Sequence, residues 1–159
     1  MSESCFLADP AATEQLGARL AETLPDRAIV FLHGDLGTGK SSLARALLRA
    51  LGVTGPIKSP TYTLVERYAW AHGEAVHLDL YRVAEAAELE FLGLDELATA
   101  RLWLVEWAAR GLQALPPPDL EIHLAVEGDG RRAKLLPGSE LGRAWIGTVS
   151  KMAPPGLAS

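Results

Sequence analysis

The chain has 159 residues, 48% of them hydrophobic, which is enough for one domain with a buried core and too apolar for a disordered polymer. Its 15 Lys and Arg stand against 20 Asp and Glu, a formal net charge of -5. That balance argues against a protein that grips RNA or DNA alone, because such affinity is mostly phosphate neutralisation by basic side chains.

The one cysteine, Cys5, excludes an intrachain disulfide and reads as a bystander near a flexible end. No basic start with a long apolar run marks a leader, and no run approaches the roughly 18 apolar residues of a membrane span, so a cytoplasmic protein is expected. Asp9-Pro10 reads as an N-cap with a first-turn proline, followed by Leu16, Leu20 and Leu24 on one face of a helix over 11–24. Ala28 to Leu32 is a continuous apolar run, as expected of a strand buried on both faces. A second helix fits 40–51, with Gly52 as its stop. Tyr62 to Trp70 and Ala75 to Tyr81 form a hairpin about His72-Gly73, and residues 86–98 read as helical. Leu102 to Val105 is a further buried strand ending at Glu106-Trp107. Pro116-Pro117-Pro118 is a rigid connector to a second hairpin, Leu120 to Val126 with Ala133 to Leu136. Ser139 caps a last helix with Leu141, Trp145 and Val149 on one face. The pattern predicts a single domain over 1–152 with a flexible tail over 153–159. Its class is α/β: a three-layer P-loop NTPase fold with a mixed, mainly parallel sheet and added β-hairpins.

Gly34-Asp35-Leu36-Gly37-Thr38-Gly39-Lys40-Ser41 fits G-x-x-x-x-G-K-[ST], follows an apolar strand and opens a helix. Glycines let the backbone wrap closely around phosphates, and amides at the helix start converge on the anion. Nucleotide contacts are therefore expected from Gly34, Asp35, Leu36, Gly37, Thr38, Gly39, Lys40, Ser41 and the adjoining Ser42. Lys40 would reach the β- and γ-phosphates, and the Ser41 hydroxyl would bind magnesium.

Such a loop also needs carboxylates to hold magnesium and orient water. Glu106 closes an apolar strand in the Walker-B manner, and a buried strand delivers its last side chain to the ligand-binding edge of the sheet. Asp79 shares one strand face with His77 and Tyr81, and the alternation alone leaves open whether that face is solvated. Thr61 is either a sensor of the γ-phosphate or part of a loop leading into a strand. Arg45, Arg49, Lys58 and Arg67 read as solvated surface.

The ordered segments GDLGTGKSS, KSPTYTLVERY, HLDLYR, ELEFLGLDE and LVEW together resemble the bacterial ATPase subunit of the tRNA threonylcarbamoyladenosine machinery, the TsaE (formerly YjeE) family, over about residues 9–136. The resemblance implies an ATPase that is weak alone and stimulated within a complex. Two partner proteins attach a threonylcarbamoyl group to adenosine 37 of tRNAs reading codons that begin with A, and this subunit meets tRNA only indirectly or weakly. By motif position it implies magnesium ligation by Ser41 and Glu106, a phosphate clamp at Lys40 and a catalytic role for Asp79 in orienting water. It also implies a base-side arginine at Arg131, with Arg132 adjacent, and nucleotide contact from Asp9 to Thr13. Ser41 stands where Thr is commoner, and Ala108 where Pro is frequent, which leaves the turn after Glu106 open.

Two other readings compete. One is a nucleotide-gated adaptor without required hydrolysis. The other is a small-molecule kinase, against which stands the lack of a lid insertion. The absence of N-K-x-D and D-x-x-G favours adenine over guanine; no obvious arginine finger is present within the chain, although Arg82 could serve.

Overall fold

A computed structural model describes residues 2–152, so the expected tail lies outside the described residues. The strands are β1 (Glu3–Leu7), β2 (Ala28–His33), β3 (Val65–Trp70), β4 (Gly73–Asp79), β5 (Leu102–Glu106), β6 (Leu120–Glu127) and β7 (Gly130–Pro137). The helices are α1 (Pro10–Glu22), α2 (Lys40–Leu51) and α3 (Glu140–Lys151), and short 3₁₀ turns cover Ala86–Leu92, Leu94–Leu97 and Ala108–Arg110. All seven strands join one sheet in the order β1-β7-β6-β2-β5-β4-β3. The central run β6-β2-β5-β4 is parallel, and antiparallel partners close both edges.

Alternation along the central strands splits the apolar residues between two faces. Val30, Leu32, Leu102, Leu104 and Ile122 pack with Leu16 and Leu20 of α1, Leu43 and Leu47 of α2, and Trp145 and Ile146 of α3. Phe31, Trp103, Val105, Val76 and Leu78 face the other way, onto Leu89 and Leu97 of the 3₁₀ turns. Three layers result, the second covering layer being made of tight turns instead of helices. The α1–α2 pair is close because Gly17 leaves no side chain between them; a Cβ there would lie 2.8 Å from Ala46 Cβ. Asp119 ties the layers together: its carboxylate accepts from Ile29 N–H at 2.9 Å and from Ser139 Oγ at 2.7 Å.

The expected caps are present. Asp9 accepts from Ala12 N–H, Gly52 ends α2 in the left-handed region, and Ser139 accepts from Gly142 N–H. Four expectations need correction. The N-terminal end is a strand, with Cys5 half-buried opposite Ala133 of β7; that strand owes its form to an edge pairing that local sequence does not encode. Residues 86–98 are two 3₁₀ segments broken at Gly93, which takes φ 65° and interrupts any continuous helix. β3 begins at Val65 because Pro60 to Leu64 forms a turn, with Leu64 N–H donating to the Pro60 carbonyl at 2.8 Å. In α3 Leu141 is exposed and Gly142 takes the inner position, where the Asp119 carbonyl leaves no space for a side chain. Among the described residues, no helix is long and apolar enough to cross a membrane.

Candidate functional site

β2 ends at His33, and the glycine-rich loop turns directly into α2. Gly34 sits at φ 148° against the neighbouring strand, where a Cβ would lie 2.5 Å from both the Leu124 carbonyl and Thr38 Oγ1. Only glycine permits that approach. Gly39 caps α2 at φ 101° with no side chain bonding the first helical amides. The unpaired amides and the helix dipole thus make a seat for an anion. Lys40 is buried; its Nζ donates to the Gly34 carbonyl at 2.6 Å and the Asp35 carbonyl at 2.9 Å. It also lies 4.7 Å from the centre of a Trp107 ring. Burial pushes the Lys40 ammonium below its usual range, against the opposing pull of Glu106, Asp79 and Asp35.

The opposite wall is made by β4 and β5. They run parallel with Asp79 beside Glu106 and His77 beside Leu104. Glu106 therefore projects on the α2 side of the sheet, as do His77 and Asp79. This face is interior: His77 and Glu106 are each 2% exposed and Asp79 5%. The alternative of a solvated face is excluded, although Tyr81, beyond the strand end, is exposed. His77 Nε2 lies 2.6 Å from Glu106 Oε2, and Ser41 Oγ lies 3.3 Å from each Glu106 oxygen. His77 Nδ1 is buried without a partner. The bond between His77 Nε2 and Glu106 Oε2 fixes the orientation of the carboxylate. Asp79 accepts from the Tyr81 amide at 3.0 Å and from Thr61 Oγ1 at 3.4 Å. Burial raises its carboxyl above the usual range; the Tyr81 amide opposes this, nearby Glu106 adds to it, and His77 and Thr61 oppose it.

The turn after Glu106 forms without the proline often found there. Trp107 takes φ 59°, uncommon for a large side chain, and packs on Tyr81 at 4.9 Å between centroids. Arg131 bonds the Gly37 carbonyl at 3.2 Å, whereas Arg132, on the other face of β7, pairs with Glu127 at 2.7 Å. Of the two adjacent arginines, the one that motif position favoured, Arg131, is the one that reaches the loop. Arg82 lies over the Tyr62 ring at 4.4 Å.

Two cavities meet at the loop. One of about 320 Å³ is lined by Leu36, Lys40, Ser41, Thr61, Asp79 and Glu106. The other, about 840 Å³, is lined by Asp9, Pro10, Thr13, Ser42, Arg45 and Arg131, among others. The expected loop residues, both carboxylates, Thr61 and Arg131 are therefore brought to one edge of the sheet. His77, which the alternation alone marked only as sharing a face with Asp79, is brought against the Glu106 carboxylate. The Ser41 hydroxyl and the Glu106 carboxylate form an all-oxygen pair of the kind that suits a hard divalent cation.

The family described as "Threonylcarbamoyl adenosine biosynthesis protein TsaE" matches residues 7–134. The chain is similar to the protein called tRNA threonylcarbamoyladenosine biosynthesis protein TsaE of Haemophilus influenzae, 38% identical over 151 residues, covering 91% of this chain and 96% of that one. It is likewise similar to the protein of the same name from Synechocystis, 42% identical over 114 residues, covering 72% and 69%. In fold it is similar to the crystal structure of Bacillus subtilis YdiB, with a TM-score of 0.81 and 95% of each chain covered; at 24% identity that likeness speaks for the fold alone.

Proposed function

The chain belongs to the TsaE family, and from that premise we propose that it is a magnesium-dependent P-loop ATPase serving threonylcarbamoylation of adenosine 37 in tRNAs that read codons beginning with A. Two partner proteins perform the transfer in the cytoplasm, and this chain meets tRNA only indirectly. The observation that carries the reading is the convergence of Lys40 and Ser41 with Asp79 and Glu106, two carboxylates set side by side by strand register.

ATP binds with its phosphates on the amides at the start of α2. Lys40 exchanges its bonds to the Gly34 and Asp35 carbonyls for bonds to β- and γ-phosphate oxygens. Ser41 and Glu106 would hold magnesium, which would supply neutralisation of the phosphate charge. His77 keeps the Glu106 carboxylate turned towards Ser41. Asp79, aimed by the Tyr81 amide and the Thr61 hydroxyl, accepts a hydrogen bond from the attacking water. Its raised pKa makes it a better proton acceptor than a solvated aspartate. Water attacks the γ-phosphorus, the bond to the bridging oxygen breaks, and ADP and phosphate leave. Arg131 lies where the larger cavity accepts the nucleoside.

Hydrolysis by the isolated chain is expected to be slow, with the charge-stabilising group for the γ-phosphate supplied by a partner. Phosphate release measured with and without the two partners tests this. Acceleration by about tenfold or more is expected if a partner completes the site, since an arginine supplied in trans is worth far more than that elsewhere. Fast release by the isolated chain, unchanged by partners, contradicts it.

A further inference from the structure

We propose that His33, Glu121 and His123 form a surface site for a transition-metal dication of the Zn2+ type, on the open face of the sheet at the root of the phosphate loop. β2 and β6 are parallel neighbours, with His33 opposite His123 and Phe31 opposite Glu121. Leu32, Ile122 and Leu124, which alternate with these residues, are buried under the helices. The three polar side chains therefore point the other way. The 3₁₀ turns that cover this face pack on residues of β2, β4 and β5, and no β6 residue belongs to their core, so the trio meets solvent.

The three side chains are already gathered. His33 Nε2 lies 2.8 Å from Glu121 Oε1, and the two imidazoles stack at 4.4 Å with 22° between their planes. One ligand atom from each residue falls within 4.8 Å of the others. Tetrahedral bonds of about 2.0–2.1 Å need ligand atoms about 3.3 Å apart, so small rotations of Glu121 and the exposed His123 close the site. His33 itself is braced edge-on against Phe31 at 6.2 Å.

Two imidazole nitrogens and one carboxylate oxygen select zinc, cobalt, nickel or copper over magnesium or calcium. The set thus differs in kind from the all-oxygen pair at Ser41 and Glu106. Three protein ligands leave a fourth position for water or a donor from elsewhere. Lys134, opposite His123 on β7, places a positive charge nearby, but it is exposed on a flexible stem and can turn aside.

Location gives the site a consequence. His33 immediately precedes Gly34, and His123 immediately precedes Leu124, whose carbonyl bounds the Gly34 backbone. A cation shared by His33 and His123 clamps the two chain segments whose contact seats the loop.

The test is a Co2+ and Zn2+ titration of the nucleotide-free chain in excess Mg2+, read by calorimetry and by visible absorption. Saturable 1:1 binding is expected, with the intense absorption of tetrahedral cobalt. His123→Ala and His33→Ala should each weaken binding at least about tenfold, the low end for losing a group that supports a metal site. Lys134→Ala should bind as tightly or more tightly, and Cys5→Ser should be unchanged. His123 is exposed, so its substitution leaves the fold intact. Absence of saturable binding at micromolar protein, or wild-type affinity in the His33→Ala/His123→Ala double variant, overturns the proposal and leaves a His33–Glu121 hydrogen bond with His123 stacked on it.

Discussion

The phosphate loop and the acidic wall facing it are built by opposite means. The loop takes its shape from the backbone: Gly34 and Gly39 hold left-handed or crowded conformations, and the helix start offers bare amides. The wall takes its shape from side chains of two strands, with His77, Asp79 and Glu106 buried in register. In the proposed reading, one region seats a triphosphate by chain geometry. The other can act on it only if strand pairing, burial and a supporting imidazole are all in place. Binding and turnover should therefore separate when the two regions are altered one at a time.

The largest effect is expected in the wall. Asp79→Ala should lower hydrolysis about a hundredfold or more, as loss of a positioned general base does, while ATP affinity stays within about threefold. Phosphate release and a direct ATP titration on the same sample check both halves. Unimpaired hydrolysis would remove Asp79 from the reaction. Lys40→Ala should do the reverse and weaken ATP binding by about 10–100-fold, the worth of a charge-assisted contact. If Lys40→Ala binds normally, the loop does not clamp phosphate through this side chain.

His77→Ala addresses how the wall is held. Without the imidazole, Glu106 loses its 2.6 Å partner. The Mg2+ concentration for half-maximal hydrolysis should rise about tenfold, as for other losses of a group that orients a metal ligand. His77→Gln, which can still donate from a similar distance, should restore most of it. A purely structural role would instead lower stability and leave the magnesium requirement unchanged.

The smallest effect concerns pH. In the proposed reaction Asp79 acts in its ionised form, and burial raises its pKa, so activity should fail at a higher pH than a solvated aspartate would dictate. The Thr61 hydroxyl favours the ionised form. Thr61→Val should therefore move the acid limb of the pH–rate profile further up. A shift downwards would contradict the contact.

How much could be read in advance follows from the same contrast. The loop, the buried strand before it and the Gly52 stop of α2 were legible because each depends on neighbours in sequence. Glu106 and Asp79 were recognisable as carboxylates, but their adjacency depends on which strands pair and at what offset. The burial of the His77–Asp79 face has the same origin; Arg131, by contrast, was already preferred to Arg132 by motif position, and the face of β7 each occupies agrees. β1 was invisible because Glu3 to Leu7 carries little pattern of its own and exists by pairing with β7. The 3₁₀ segments at 86–97 looked helical because their apolar spacing serves both conformations, and Gly93 decides between them.

In the proposed mechanism the buried wall turns a triphosphate seat into the motor of a tRNA-modifying complex. Repeated rounds of tRNA threonylcarbamoylation, reconstituted with the two partners and either the wild-type chain or Asp79→Ala, test it most directly. The wild-type chain should sustain many rounds, and Asp79→Ala should stall after about the first, as expected when binding survives and hydrolysis does not. If Asp79→Ala sustains as many rounds as the wild type, hydrolysis at this site is not what drives the complex.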